Sequence, residues 1–253
     1  MTKVVVIGGS GLIGSKLVHK LKQHGHEAVA ASRSTGVDTV TGAGLIEVLR
    51  DTDTVIDVSN APSSGDGPAW DFFTTSTGNL LTAEEAVGVR HHVLLSMVGA
   101  GRLPTSGYFR AKAMQEQLVR ESAVGHSIVR STQVFESVAQ IAGTALDETI
   151  RISPALTQPI AAIDLATFVG QTAIGRPSYG VHEIAGPDRY AMDQLVRMQL
   201  SAVGDPRQVV ADPRARYFGA VLEEPSLLPN RRAKLSSTNF TGWLADNTSV
   251  AVR

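Results

Sequence analysis

Short apolar runs alternate with longer stretches of helical period along the first half of the chain. Residues 4–7, Val-Val-Val-Ile, are an unbroken apolar run, the pattern of a strand covered on both faces. Leu12, Ile13, Leu17, Val18 and Leu21 then recur at the spacing of one helix face, and Gly25 stands where that helix would stop. The same reading predicts strands over residues 27–31, 54–58, 92–96 and 127–130, and helices over 44–50, 70–87 and 107–123. Strand and helix in strict alternation predict a parallel sheet with right-handed crossovers and helices on both faces.

Beyond Val134 the rhythm changes. Prolines at 154, 159, 177, 187, 206, 213, 225 and 229 break up the segments. Short strands are predicted over residues 158–163 and 181–184, and helices over 164–173 and 191–203. Residues 1–135 therefore read as the core. Residues 136–253 read as its remaining elements plus a small C-terminal α/β cap, integrated into one domain. The polar residues after Trp243 are expected to fray.

Composition narrows the choice of function. The 253 residues include no cysteine, which removes disulfides and thiolate metal sites, and no metal site is expected. Lys plus Arg number 23 against 24 Asp plus Glu, so the chain lacks the basic excess of a nucleic-acid or membrane-surface protein. The run at residues 4–7 is too short for a signal peptide, and no stretch approaches the roughly 18 apolar residues of a spanning helix. A cytoplasmic protein is expected, monomeric or homodimeric, acting on a small molecule. The sequons at Asn239 and Asn247 carry no weight without a secretory signal.

The first strand meets the first helix through Gly8-Gly9-Ser10-Gly11-Leu12-Ile13-Gly14. Glycines at 8, 11 and 14 suit a sharp turn, close approach of backbone to a diphosphate, and tight packing of the helix. The helix start adds free N–H groups and a partial positive charge. In this context the turn predicts a doubly wound, Rossmann-type fold that binds a nicotinamide dinucleotide through Gly8, Ser10, Gly11, Leu12, Ile13 and Gly14. The second strand ends in Ser32-Arg33-Ser34 with no acid for a ribose 2′-hydroxyl. A guanidinium between two hydroxyls suits a 2′-phosphate, so NADP is expected, with NAD as the alternative.

Ser96 closes the fourth strand at the edge of the sheet where ligands bind. Tyr108 and Lys112 follow four residues apart, on one face of the next helix. A Tyr and Lys at this spacing also occur as an ordinary surface pair. Beside a dinucleotide they suit hydride chemistry: the tyrosine moves a proton, a nearby ammonium and the oxidised ring lower its pKa, and the serine steadies the developing oxygen charge.

With these residues the chain resembles the short-chain dehydrogenase/reductase superfamily in its atypical, NmrA-like branch. The glycine turn, Ser96 in Leu94-Leu95-Ser96-Met97-Val98-Gly99, and Tyr108-x-x-x-Lys112 followed by Ala113-Met114-Gln115-Glu116 carry the likeness over about the first 135 residues. The resemblance implies further contacts. Asp38 and Thr39 would lie beside adenine, Ser59, Asn60 and Ala61 under the adenosine ribose and diphosphate, and Ser131, Thr132 and Gln133 against the nicotinamide. Lys112 would also hold a ribose hydroxyl. The segment from Arg33 to Leu45 is short for wrapping adenine, and the small cap argues against a nucleotide-sugar substrate.

Three functions follow. The first is an NADP(H)-dependent oxidoreductase acting on a small carbonyl or quinone-like substrate. The second is a non-catalytic, dinucleotide-sensing regulator, and the third an NAD(P)-dependent epimerase or dehydratase. Retention of Ser, Tyr and Lys favours the enzyme. His91-His92 is read as strand entry, because neighbouring strand residues face opposite ways. Glu84-Glu85, Glu223-Glu224 and Arg231-Arg232 with Lys234 are read as solvated surface. Phe72-Phe73 and Tyr217-Phe218 are read as core or pocket wall, and Arg102 as a loop residue open to solvent or to an acidic substrate.

Overall fold

A computed structural model describes residues 1–143 and 148–250. The first half runs β1 (Lys3–Ile7), α1 (Leu12–Gln23), β2 (Glu27–Ala31), α2 (Leu45–Leu49), β3 (Thr54–Asp57), α3 (Asp66–Val87), β4 (His91–Met97), α4 (Gly107–Glu121) and β5 (His126–Ser131). The second half runs α5 (Val138–Gly143), β6 (Thr149–Ile152), β7 (Leu156–Thr157), α6 (Ala162–Ile174), β8 (Val181–Ala185), β9 (Tyr190–Ala191) and α7 (Met192–Ala202). It ends with β10 (Gln208–Ala211), β11 (Arg216–Tyr217), β12 (Ala220–Val221), β13 (Lys234–Leu235) and α8 (Phe240–Val250).

Seven strands form one parallel sheet in the order β13-β8-β5-β4-β3-β1-β2. This is the doubly wound, Rossmann-like α/β fold. Side-chain alternation along β1 builds both layers. Val4 and Val6 pack with Leu17, Leu21, Leu165 and Val169 of α1 and α6. Val5 and Ile7 pack with Leu45, Leu80 and Ala83 of α2 and α3. From β1 the chain passes to β2 on one side and to β3 on the other, so the order reverses at β1. A crevice opens there at the carboxyl ends of the strands.

The remaining elements cover that crevice. Phe135, Ile150, Leu195, Tyr217 and Phe240 from the second half share one apolar cluster with Phe73, Tyr108 and Phe109 from α3 and α4. Among the described residues no helix is long and apolar enough to cross a membrane.

The structure departs from the sequence reading at five places. Glu84, read as solvated surface, is fully buried, its carboxylate 2.8 Å from the ring of buried His92. The helix predicted from residue 70 begins at Asp66, with Pro68 in its first turn, where a missing N–H costs no helical hydrogen bond. The strand predicted over 158–163 is an extended link with a single bridge between Val134 and Ile160, and α6 already begins at Ala162. Of the segment expected to fray, residues 244–250 are helical, anchored by Phe240, which is fully buried and stacks on Trp243; residues 251–253 lie outside the described residues. The strands at 149–152 and beyond residue 208 are too short for a periodic signal.

Candidate functional site

One cavity of about 1130 Å³ runs along the carboxyl edge of the sheet from the turn after β1 to the cap. The turn's shape rests on missing side chains. A Cβ on Gly14 would lie 2.2 Å from the Gly8 carbonyl oxygen, and one on Gly9 2.7 Å from the Ala30 Cα. Gly14 thus lets the helix start close against its own turn, whereas the sequence reading assigned it to helix–sheet packing. Gly9, which that reading passed over, is what lets the turn lie on β2. The N-terminus of α1 has no side-chain cap and no acid in its first turn, so its field and free N–H groups face the cavity unopposed. Beside it Ser59 Oγ is buried with no hydrogen-bond partner. An uncapped helix start, a glycine bend that a single Cβ would fill, and an orphan hydroxyl together fit a diphosphate.

At the end of β2, Ser32 and Thr35 close a short turn with reciprocal bonds, and Ser32 Oγ lies 2.8 Å from Ser34 Oγ. Arg33 lies over the cavity with its side chain 64% exposed, and its Nε pairs with Asp38 at 3.1 Å. The Asp38 carboxyl is held below the usual range by the Val40 N–H and by Arg33. Thr39 lines the cavity; Asp38 and Ala61 do not. Asp38 therefore steadies Arg33 and the following turn in place of reaching the cavity beside Thr39. The opposite wall is Ser131, Thr132 and Gln133. It is pinned by Thr132 Oγ1 donating to the Gln158 carbonyl at 2.6 Å and Ile160 N–H donating to the Gln133 carbonyl at 2.8 Å.

Ser96, Tyr108 and Lys112 all line the same cavity, but no hydrogen bond joins any two of them. Tyr108 Oη donates to Asn60 Oδ1 at 2.7 Å, and its ring stacks on Phe218 with centroids 4.5 Å apart. Phe218 reaches this place from a two-residue hairpin turn. Phe218 and Gly219 both have positive φ, 46° and 83°, and Ser106 Oγ donates to the Phe218 carbonyl at 2.6 Å. Burial pushes the Tyr108 phenol up to about 12, against a smaller opposing effect of Asn60. The sequence reading expected a lowered value; here Lys112 is not among the groups that move it.

Lys112 is 4% exposed, and burial brings its ammonium down to about 8, against the pull of Asp57 and Glu116. Its Nζ donates to the Leu95 carbonyl at 3.0 Å and to Gln115 Oε1 at 2.5 Å, and lies 4.6 Å from the centre of the Phe73 ring. Gln115 Nε2 in turn donates to Asp57 Oδ2 at 3.0 Å and Thr77 Oγ1 at 3.1 Å. Ser96 Oγ is already engaged. It donates to Glu116 Oε1 at 2.6 Å, a carboxylate that Arg130 and Arg120 also grip at 2.7 Å. Asp57 escaped the sequence reading, which gives Gln115 and Glu116 a place in the likeness but no role in the site. The one available signal was that Tyr108, Lys112, Gln115 and Glu116 share a face of α4.

A family model described as NAD(P)H-binding matches residues 8–171. A divinyl chlorophyllide a 8-vinyl-reductase of Cucumis sativus is 26% identical over 74% of this chain. The chain spans about half, 54%, of that relative's length. Among solved structures, a UDP-N-acetylglucosamine 4-epimerase from Bacillus cereus superposes with a TM-score of 0.70 at 18% identity, covering 100% of both chains. The Bordetella bronchiseptica enzyme WbmH, in complex with NAD+, gives 0.71 at 16% identity over 97% of this chain and 96% of that one. A dTDP-4-dehydrorhamnose reductase from Bacillus anthracis, in complex with NADP, gives 0.68 at 15% identity over 96% and 92%. At these identities the superpositions speak for the fold alone.

Proposed function

The chain belongs to the NAD(P)H-binding family, and from that premise we propose that it is an NADP(H)-dependent oxidoreductase reducing a small carbonyl or quinone-like substrate. The observation that carries the proposal is that the Tyr108 phenol and the Lys112 ammonium, both buried, line the same cavity as the glycine cradle. The reductase among its relatives supports a redox reading. The atypical, NmrA-like short-chain dehydrogenase/reductase type is part of the proposal, as are a small-molecule substrate, a monomeric or homodimeric state and a cytoplasmic address.

The α1 N-terminus, Ser10 and Gly11 hold the diphosphate, and Ser59 Oγ supplies a further donor. Arg33 keeps its terminal nitrogens for a 2′-phosphate while its Nε stays on Asp38, with Ser32 and Ser34 beside it; this favours NADP over NAD. Ser131, Thr132 and Gln133 form the wall against the nicotinamide, and the bound cofactor supplies a hydride to the substrate carbon. Tyr108 donates its proton to the substrate oxygen. At about 12 the phenol is fully protonated at neutral pH, so it acts as an acid in the direction of reduction. Lys112 holds a ribose hydroxyl. Phe218 and Phe73 pack against the Tyr108 ring and shield the phenol from water. Ser96 has a smaller part, because its hydroxyl is engaged by Glu116. Ser96→Ala is expected to lower kcat by less than about tenfold, against about a thousandfold for Tyr108→Phe.

The test is an NADPH-oxidation assay across aldehydes, ketones and quinones with the wild type and Tyr108→Phe. Turnover that Tyr108→Phe abolishes while NADPH still binds supports the reading. Tight NADPH binding with no turnover on any carbonyl or quinone would point to the sensing regulator instead. A variant as fast as the wild type would remove Tyr108 from the reaction.

A further inference from the structure

We infer that Asp57 is the positioning residue of this site, holding Lys112 through Gln115 and holding the turn that parks the Tyr108 phenol. This rests on the reading of Tyr108 and Lys112 as the reacting pair. Asp57 ends β3, 2% exposed, and each of its carboxylate oxygens does a different job. Oδ2 accepts from Gln115 Nε2 at 3.0 Å, and Gln115 Oε1 accepts from Lys112 Nζ at 2.5 Å. Oδ1 accepts the Ser59 N–H at 2.9 Å, which fixes the backbone just before Asn60, the acceptor of the Tyr108 hydroxyl.

One carboxylate thus closes a circuit from the ammonium to the phenol without touching either. Gln115 is fully buried and its amide is fully used, with Thr77 Oγ1 taking its second N–H bond. An amide in this place transmits orientation: it can present oxygen to Lys112 only because its nitrogen is held by Asp57 and Thr77. A buried carboxylate also favours the charged form of a buried ammonium. The charged and titratable groups facing this circuit are few. Among the described residues Lys112 feels Asp57 from β3 and Glu116 from its own helix. Asp57 has Glu84 of α3 and His92 of β4 within electrostatic reach, and those two are bound to each other at 2.8 Å. Glu116 is already taken by Arg130 and Arg120, which leaves Asp57 as the carboxylate tied to Lys112 through hydrogen bonds.

Removing that carboxylate by Asp57→Asn withdraws a group that raises the Lys112 pKa. The alkaline limb of kcat, governed by loss of the Lys112 proton, should move to lower pH by about one unit. Two readouts test this in the full chain. The first is the pH profile of kcat for NADPH-dependent carbonyl reduction. The second is the NMR titration of the Lys112 side chain in lysine-labelled protein, assigned with Lys112→Arg. Both midpoints are expected to fall in Asp57→Asn and to return in the double variant Asp57→Asn/Gln115→Glu, which sets a carboxylate against Lys112 again. If Asp57→Asn does not fold, Gln115→Met severs the circuit without removing a charge and should lower both midpoints by a smaller amount.

A uniform fall of kcat at every pH, with an unmoved Lys112 titration and no recovery in the double variant, would overturn the inference and leave Asp57 a purely structural residue. A shifted Lys112 titration in a protein that reduces no carbonyl supports the hold of Asp57 on Lys112 and sinks the reductase reading instead.

Discussion

The two ends of the cavity are built on opposite principles. The end proposed for the diphosphate is made of backbone: glycines, an uncapped helix start and small hydroxyls, with no buried charge among the described residues. The end proposed to react is made of side chains. Lys112, Asp57 and Glu116 are each at most 4% exposed and are held by one another or by Gln115, Ser96 and Arg130. A site of the first kind fails when an atom is added, because the bend has no space to give. A site of the second kind fails when a polar atom is removed, because its buried partner is left unpaired. Substitutions at the two ends should therefore leave different kinetic signatures.

The largest effect belongs to the reacting end. Tyr108→Phe is expected to lower kcat by about a thousandfold, the scale of a lost general acid, while the Kd for NADPH stays within about twofold. Stopped-flow turnover and fluorescence titration separate the two numbers. Equal losses in kcat and Kd would erase the distinction between the ends. Next comes Gly14→Ala in the cradle. Its Cβ would press on the Gly8 carbonyl at 2.2 Å, so the turn must open. NADPH affinity should weaken by about a hundredfold, with the pH dependence of residual turnover unchanged.

The far end of β4 supplies a control in which pH acts on stability and not on the site. His91 is buried against Ser127, and burial brings its imidazole down to about 4 from an ordinary 6.5. The unfolded chain then binds a proton that the folded one refuses. Stability from this residue is complete above pH 6.5 and falls away as pH drops toward 4, by roughly 2–3 kcal/mol. Chemical denaturation at pH 7 and pH 4.5 should show a smaller acid loss in His91→Gln than in the wild type. An equal loss would place the acid sensitivity elsewhere. The smallest effect is Arg33→Ala, which should weaken NADPH by about tenfold and leave NADH unchanged. Parallel titrations of the two cofactors decide it, and a uniform loss would contradict a 2′-phosphate role.

The same division explains what could be read in the sequence. The cradle was legible because backbone chemistry leaves a local mark: three glycines between an apolar strand and an amphipathic helix. Strands β1 to β5 were legible because each has an apolar centre, buried on both faces in β1, β3, β4 and β5. The reacting end was only half legible. Tyr108 and Lys112 announce themselves by spacing, but Asp57 lies 55 residues before Lys112 and meets it only through the β3–β4 crossover. The partner of Ser96 is likewise a contact between strand and helix that no local pattern records. The cap was least legible. Its strands of two to four residues are too short for a period, and its burial comes from aromatic residues such as Phe218, which stacks on Tyr108, and Phe240, which packs on Phe135.

The central claim is that one cavity holds the dinucleotide on the β1–α1 turn and presents its nicotinamide to Tyr108. Diffraction from crystals grown with NADP+ tests it most directly. The diphosphate is expected against the backbone N–H groups at the start of α1 and the nicotinamide ring against residues 131–133, facing the Tyr108 hydroxyl. A diphosphate bound elsewhere, or a ring turned away from that hydroxyl, would contradict it.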